Sequence, residues 1–219
     1  MEKPVSIAAV IFDLDGVIVS TDEYHYLGWK KLADEEGIYF DREINHRCRG
    51  VSRMESLEVV LERADRQYTP EEKQEMAARK NNYYRQMLQR LSPDDILPGV
   101  MEILDGLKAR GVKVAVGSSS RNSPTILEQI GLGDYFDATS DGNDITHSKP
   151  HPEVFLLAAE RLGVPPERCL VVEDAEAGVA AAVNGGMKCL AVGNAAGDPR
   201  AQLSAPDLAS ISVEQMLAV

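Results

Sequence analysis

Apolar positions follow two different rhythms along the chain, and the change between them divides it. Ile7 to Phe12 is a continuous apolar run, the pattern of a strand buried on both faces. It stops at Asp13-Leu14-Asp15-Gly16, two carboxylates separated by one residue and followed by glycine. From about Asp22 to Glu36 the spacing predicts a helix, with Ser20 and Glu23 at capping-box distance ahead of it and Gly37 at its end. Between Asp41 and Leu91 no stretch reads as a strand. Met54, Leu57, Val60, Leu61 and Ala64 recur at helical intervals. Thr69-Pro70-Glu71-Glu72 combines a cap, a proline at the first helical position and a box glutamate, opening a helix that reaches about Leu91. Residues 17–93 therefore read as an all-helical insertion, closed by Ser92-Pro93-Asp94-Asp95 and Pro98-Gly99.

From Gly99 onward helix and strand alternate. Val100, Ile103, Leu104 and Leu107 mark an amphipathic helix, and Val112 to Val116 a strand. A helix from Pro124 to Ile130 leads to a short strand near Phe136 to Thr139, and another helix spans Glu153 to Leu162. Cys169 to Val172 and Met187 to Val192 are strands flanking a helix with Val179 and Val183. A last strand is expected near Leu208 to Ile211, and a terminal helix from Val213. This succession predicts an α/β fold, a parallel sheet with helices on both faces, formed by residues 1–16 and 94–219.

Composition narrows the function classes. Asp plus Glu number 35 against 23 Lys plus Arg, a net charge of −12, which disfavours a nucleic-acid partner. No run approaches the roughly 18 consecutive apolar residues of a membrane span, and the first residues, Met1-Glu2-Lys3-Pro4, lack the pattern of a secretory leader. Three cysteines, Cys48, Cys169 and Cys189, show no metal-ligand spacing and fit a reducing cytoplasm. The four histidines are dispersed, so no histidine-rich zinc site is expected. A monomer is expected.

Candidate chemistry collects where strands end, the place open α/β sheets form their ligand crevices. Asp13 and Asp15 follow the first strand, and Glu173-Asp174 follow a later one. Four carboxylates together repel one another unless a hard divalent cation such as Mg²⁺ relieves them; apart, Asp13/Asp15 is suggestive and Glu173-Asp174 reads equally as a solvated turn. Ser118-Ser119-Ser120-Arg121-Asn122 sits between a strand and a helix, suited equally to holding phosphate and to capping the helix. Lys149, before Pro150, is either a surface lysine or the cation that lets phosphate approach so acidic a site. If the clusters meet, Asp13 would attack phosphorus and Asp15 would move protons. Mg²⁺, Ser118 and Lys149 would stabilise charge on the phosphoryl oxygens.

In order and spacing, Asp13-Leu14-Asp15-Gly16, Ser118, Lys149-Pro150 and Glu173-Asp174 with Gly178 resemble the haloacid dehalogenase-like superfamily, in its phosphatase and mutase form. The resemblance implies a Rossmann-like core and a four-helix cap over residues 17–93. Within the superfamily the chain most resembles the β-phosphoglucomutase family, through Thr21, Glu23-Tyr24-His25, Trp29, Arg49-Gly50-Val51-Ser52-Arg53 and Arg79-Lys80-Asn81 in the cap, and Ser118, Ser120-Arg121-Asn122 and Ser148-Lys149-Pro150 in the core. Such enzymes interconvert β-D-glucose 1-phosphate and glucose 6-phosphate through an aspartyl-phosphate and β-glucose 1,6-bisphosphate. By resemblance, Asp13 is the nucleophile and Asp15 the acid/base. Asp13, the Asp15 carbonyl, Asp174 and a nearby Glu173 hold Mg²⁺. Ser118 and Lys149 take the transferring phosphate; Arg53, with Ser120 and Asn122, takes the other. His25 and Lys80 couple cap closure to Asp15. Arg49, Gly50, Val51, Ser52, Trp29 and Arg121 complete the implied substrate set. Arg49 stands where the family often has Lys, Ala175 where some members have Ser, and Gly117 and Arg121 where close relatives have alanine and lysine. The alternative within the superfamily is a sugar-phosphate phosphatase.

Overall fold

The computed structural model describes residues 6–49 and 51–219. Six strands form one parallel sheet: β1 (Ala9–Phe12), β2 (Lys113–Gly117), β3 (Ala138–Ser140), β4 (Cys169–Glu173), β5 (Lys188–Ala191) and β6 (Leu203–Ser204), in the order β3-β2-β1-β4-β5-β6. β1 lies near the middle, with Phe12 opposite Val116 on one side and Val172 on the other. Because the central strands are buried on both faces, their side chains serve two cores. Val10, Phe12, Val114, Val116, Leu170 and Leu190 join one, with α5 (Val100–Lys108), α6 (Ser123–Gln129) and α9 (Val213–Leu217). Ala9, Ile11, Ala115, Val171 and Cys189 join the other, under α7 (Glu153–Leu162) and α8 (Glu176–Asn184). Cys169 and Cys189 are buried strand residues, as expected.

Between β1 and α5 stand α1 (Asp22–Glu36), α2 (Arg42–His46), α3 (Arg53–Leu61) and α4 (Pro70–Leu88), the inserted helical cap. Trp29, Leu32, Phe40, Leu57, Val60 and Met76 give it a core of its own. At its base, Tyr84 and Leu88 pack instead into the sheet's core. The two connectors are pinned to each other: Val19 bridges both Asp15 and Ile96, and Leu97 donates its N–H to the Ile18 carbonyl at 2.9 Å.

Three local expectations need correction. No strand forms at Leu208–Ile211; Leu208–Ser210 is a 3-10 turn that buries Leu208, and the sixth strand lies earlier at Leu203–Ser204. A two-residue edge strand, exposed at Ser204, carries too little apolar alternation to be read. Helix α4 stops at Leu88, short of Leu91. The Ser20–Glu23 box does not form: Thr21 is the residue before α1, and it spends its hydroxyl elsewhere. The Thr69–Glu72 box does form, its two bonds at 3.2 and 2.8 Å. A second, Ser52–Glu55, opens α3.

Candidate active site

Each acid of the expected cluster is delivered by a strand end. Asp13 follows β1 directly and donates its N–H to the Val172 carbonyl at 2.9 Å, which sets it beside Glu173, the last residue of β4. Lys149 reaches the same point across a cis peptide to Pro150. Its buried ammonium donates to Asp13 Oδ1 at 2.5 Å and to Glu173 Oε2 at 2.7 Å. Burial alone would favour the neutral amine, but the two carboxylates outweigh it and hold Lys149 charged. Glu173 Oε1 accepts the N–H groups of Asp174 and Ala175, both at 3.0 Å. Burial, above all, raises the affinity of Glu173 and Asp174 for protons, and for Asp174 repulsion from Glu173 and Asp13 adds to it. The nearest donor to Asp174 is the Asn194 amide at 3.5 Å.

One carboxylate oxygen from each of Asp13, Glu173 and Asp174 lies within 4.8 Å of the others. One buried ammonium serves Asp13 and Glu173, and the third acid, Asp174, has no cation partner among the described residues. An all-oxygen donor set with surplus negative charge fits a hard divalent ion.

Asp15 turns away from this cluster toward the cap. Thr21 meets it twice, backbone N–H to Oδ1 at 2.6 Å and hydroxyl to Oδ2 at 2.8 Å, while Tyr84 shares the Thr21 hydroxyl at 2.8 Å. Burial pushes the Asp15 pKa up to about 6, partly offset by the Thr21 bonds. On the far side, Lys80 Nζ lies 2.8 Å from His25 Nδ1, and His25 Nε2 lies 3.7 Å from Asp15 Oδ2. A charged Lys80 can only donate, which places the imidazole proton on Nε2, facing Asp15. Burial and repulsion from Lys80 hold His25 well below its ordinary pKa. Burial and repulsion from Arg53 lower Lys80 to about 7. The Lys80 ammonium is walled by the rings of Trp29 and Tyr84, at 4.8 and 4.7 Å.

A cleft of about 1210 Å³ between cap and core joins these groups. Arg53, at the start of α3, lines it from the cap; Arg121 lines it from the core. Burial, then repulsion from Arg121, lowers the pKa of Arg53. Among the described residues neither arginine has a carboxylate partner, and Arg121 bonds only the Gly142 carbonyl, at 3.1 Å. Arg49 also lines the cleft, but its guanidinium is held by Asp22, with only Nη1 unpartnered. Val51 and Ser52 are at the wall; the Ser52 hydroxyl caps α3 and so aims Arg53. Gly50 lies outside the described residues.

The serine turn is closed by its own bonds. Ser120 N–H donates to Ser118 Oγ and Asn122 N–H to Ser120 Oγ, each at 3.2 Å. The Asn122 side chain donates to Asn81 Oδ1 of α4 at 2.9 Å, a direct link from core to cap. All the described candidate residues except Glu173, which is buried behind Lys149, border the one cleft. Sequence reasoning missed Tyr84, whose only signal was a buried position in a helix, and Asn194, which carried none.

Residues 7–186 match the model of the haloacid dehalogenase-like hydrolases. The chain belongs to that family. Among its curated relatives is a β-phosphoglucomutase of Bacillus subtilis, 47% identical over 187 residues, covering 84% of this chain and 83% of that protein. A phosphorylated carbohydrates phosphatase of Thermotoga maritima is 31% identical over 215 residues, covering 96% and 97%. Among solved structures, a β-phosphoglucomutase from Clostridium difficile superposes with a TM-score of 0.91 at 39% identity, covering 96% of this chain and 95% of that one. Like other haloacid dehalogenase-like proteins of this form, the chain is a phosphoryl-transfer enzyme whose acidic cluster suits a divalent ion.

Proposed function

We propose that the chain is a β-phosphoglucomutase, interconverting β-D-glucose 1-phosphate and D-glucose 6-phosphate through β-glucose 1,6-bisphosphate. The observation that carries this over simple hydrolysis is the unpaired Arg53, facing Arg121 across the cleft. Hydrolysis of a sugar monophosphate needs one phosphate site, already supplied beside Asp13. Two arginines that lack an anion supply a second, which a bisphosphate intermediate requires.

In this reading Asp13 is the nucleophile that becomes an aspartyl-phosphate. Asp15, with a pKa near neutrality, protonates the leaving sugar oxygen and later takes the proton of the incoming hydroxyl. Lys149 and Ser118 hold the transferring group against Asp13. Arg53 and Arg121, with Ser120 and Asn122, hold the distal phosphate, and Arg49, Val51 and Trp29 shape the sugar site. Mg²⁺, held by Asp13, the Asp15 carbonyl and Asp174 with Glu173 close by, supplies charge neutralisation of the phosphoryl oxygens. The Lys80–His25 pair orients Asp15 when the cap shuts, which excludes water in favour of a sugar hydroxyl. We divide the chain at 16/17 and 93/94, so that residues 17–93 form the moving cap, hinged at the paired connectors. The three cysteines are free thiols, which supports a reducing, cytoplasmic setting; no helix among the described residues is long and apolar enough to cross a membrane.

Purified protein with β-glucose 1-phosphate, Mg²⁺ and a trace of bisphosphate is expected to accumulate glucose 6-phosphate. Release of inorganic phosphate in its place overturns the mutase reading and favours the hydrolytic one that the Thermotoga relative represents.

A further inference from the structure

Two of the four histidines, only four residues apart in the sequence, converge with a carboxylate outside the acid cluster. His147 and His151 flank Lys149 on the loop before α7, and Glu153 begins that helix. A ring nitrogen from each histidine and a Glu153 oxygen lie within 4.8 Å of one another. The rings are 4.7 Å apart between centroids, inclined at 35°.

Glu153 is fixed from behind. Oε1 accepts the Thr146 N–H at 3.0 Å and Oε2 the His147 N–H at 2.8 Å. These bonds keep the carboxylate ionised. Oε2 also faces His147 Nδ1 at 3.1 Å and His151 Nδ1 at 3.9 Å. A carboxylate oriented by backbone donors, with two imidazoles converging on one of its oxygens, has the form of a supported ligand set.

We propose that His147, His151 and Glu153 bind a divalent transition ion of the zinc class, at a second metal site on the loop that carries Lys149. Two imidazole nitrogens and one carboxylate oxygen suit zinc, nickel or copper, whereas magnesium takes oxygen donors. Bond lengths of about 2.0–2.2 Å in a tetrahedral shell put neighbouring ligand atoms roughly 3.3–3.5 Å apart. The His147–Glu153 pair, at 3.1 Å, already stands near that spacing. His151 must close the rest by turning an exposed ring, giving up a 3.3 Å bond from the Glu153 N–H to its Nδ1. Water completes the shell, since both rings are exposed. The bound ion clips together positions on either side of Lys149 and stiffens the loop that presents it. The site does not depend on which phosphoryl acceptor the enzyme uses.

The test is a Zn²⁺ titration of the full chain by calorimetry in millimolar Mg²⁺, which occupies the acid cluster. Co²⁺ in the same buffer serves as a visible-absorption probe for nitrogen ligation. One Zn²⁺ per chain is expected. His147→Ala and His151→Ala should each weaken it by at least about tenfold, since even supporting residues contribute 10- to 100-fold. Asp174→Asn should leave it in place. No Zn²⁺ uptake by the unaltered protein, uptake indifferent to both histidine substitutions, or uptake lost with Asp174→Asn instead, each overturns the proposal.

Discussion

Asp15 is governed by its neighbours, and each leaves a separable mark. The Thr21 hydroxyl favours the ionised carboxylate, against the burial that favours the acid. Thr21→Val removes that bond but keeps the backbone one, so Asp15 should hold its proton to higher pH. The acidic limb of the kcat/KM profile, which reports Asp15 acting as base, is then expected to move upward in pH; a limb that stays put or moves down would contradict the assignment. Lys80 offers a stability test with a definite sign. Its folded pKa, about 7, lies below the unfolded value of about 10.4, so the unfolded chain binds more protons between them. The stability that Lys80 withholds is therefore regained as pH rises from about 7 to about 10.4, and is fully absent below 7. Lys80→Met should raise the melting temperature at pH 6 while lowering turnover, the cost of a buried cation kept for function. A melting temperature that falls at pH 6 would contradict this.

Secondary structure was legible wherever burial imposed a clear period. β1, β2, β4 and β5 read as apolar runs because the sheet is covered on both faces, and α1 was bounded correctly at Asp22–Glu36. β6 was not, being two residues at an edge. The Ser20–Glu23 spacing misled because Thr21, one residue on, is drawn to a carboxylate that sequence cannot place beside it. Tyr84 was invisible for a similar reason: its hydroxyl meets Thr21 across 63 positions of chain. The acids were legible because strand ends converge by topology. Packing of α8 against the end of β4 explains Gly178 as well, since a Cβ there would overlap the Glu173 carboxyl. Gly178→Ala should dislodge Glu173 from Lys149 and sharply weaken both Mg²⁺ affinity and turnover, with urea stability reduced by a few kcal/mol at most. Unchanged Mg²⁺ affinity would show that Glu173 does not shape the ion's site. Gly117, a departure from the family pattern, has a packing reason: a Cβ would come within 2.7 Å of Phe155, whose ring lies 4.6 Å from the Lys149 ammonium.

Cap and core line the cleft from opposite walls, joined by the Asn122–Asn81 bond and the paired connectors. This makes the contribution of Arg53 separable. Arg53→Ala should depress kcat/KM for the sugar phosphate by one to several orders of magnitude, since a desolvated charge-assisted pair is worth several kcal/mol. Phosphorylation of Asp13 by acetyl phosphate, which has no second phosphate, should change far less; equal losses with both would remove Arg53 from the distal site. The lone ammonium among the acids at the carboxyl ends of the central strands has one last consequence. Without a divalent ion, the folded chain must confine charges that unfolding would let apart, so the cation is a ligand for the native state. Unfolding temperature then becomes a gauge of Mg²⁺ concentration, readable with no substrate at all: about 2.7 kcal/mol of added stability at a hundredfold excess over Kd, lowered by chelation and blunted in Asp174→Asn. A melting curve indifferent to Mg²⁺ would mean that the acids settle their repulsion by holding protons.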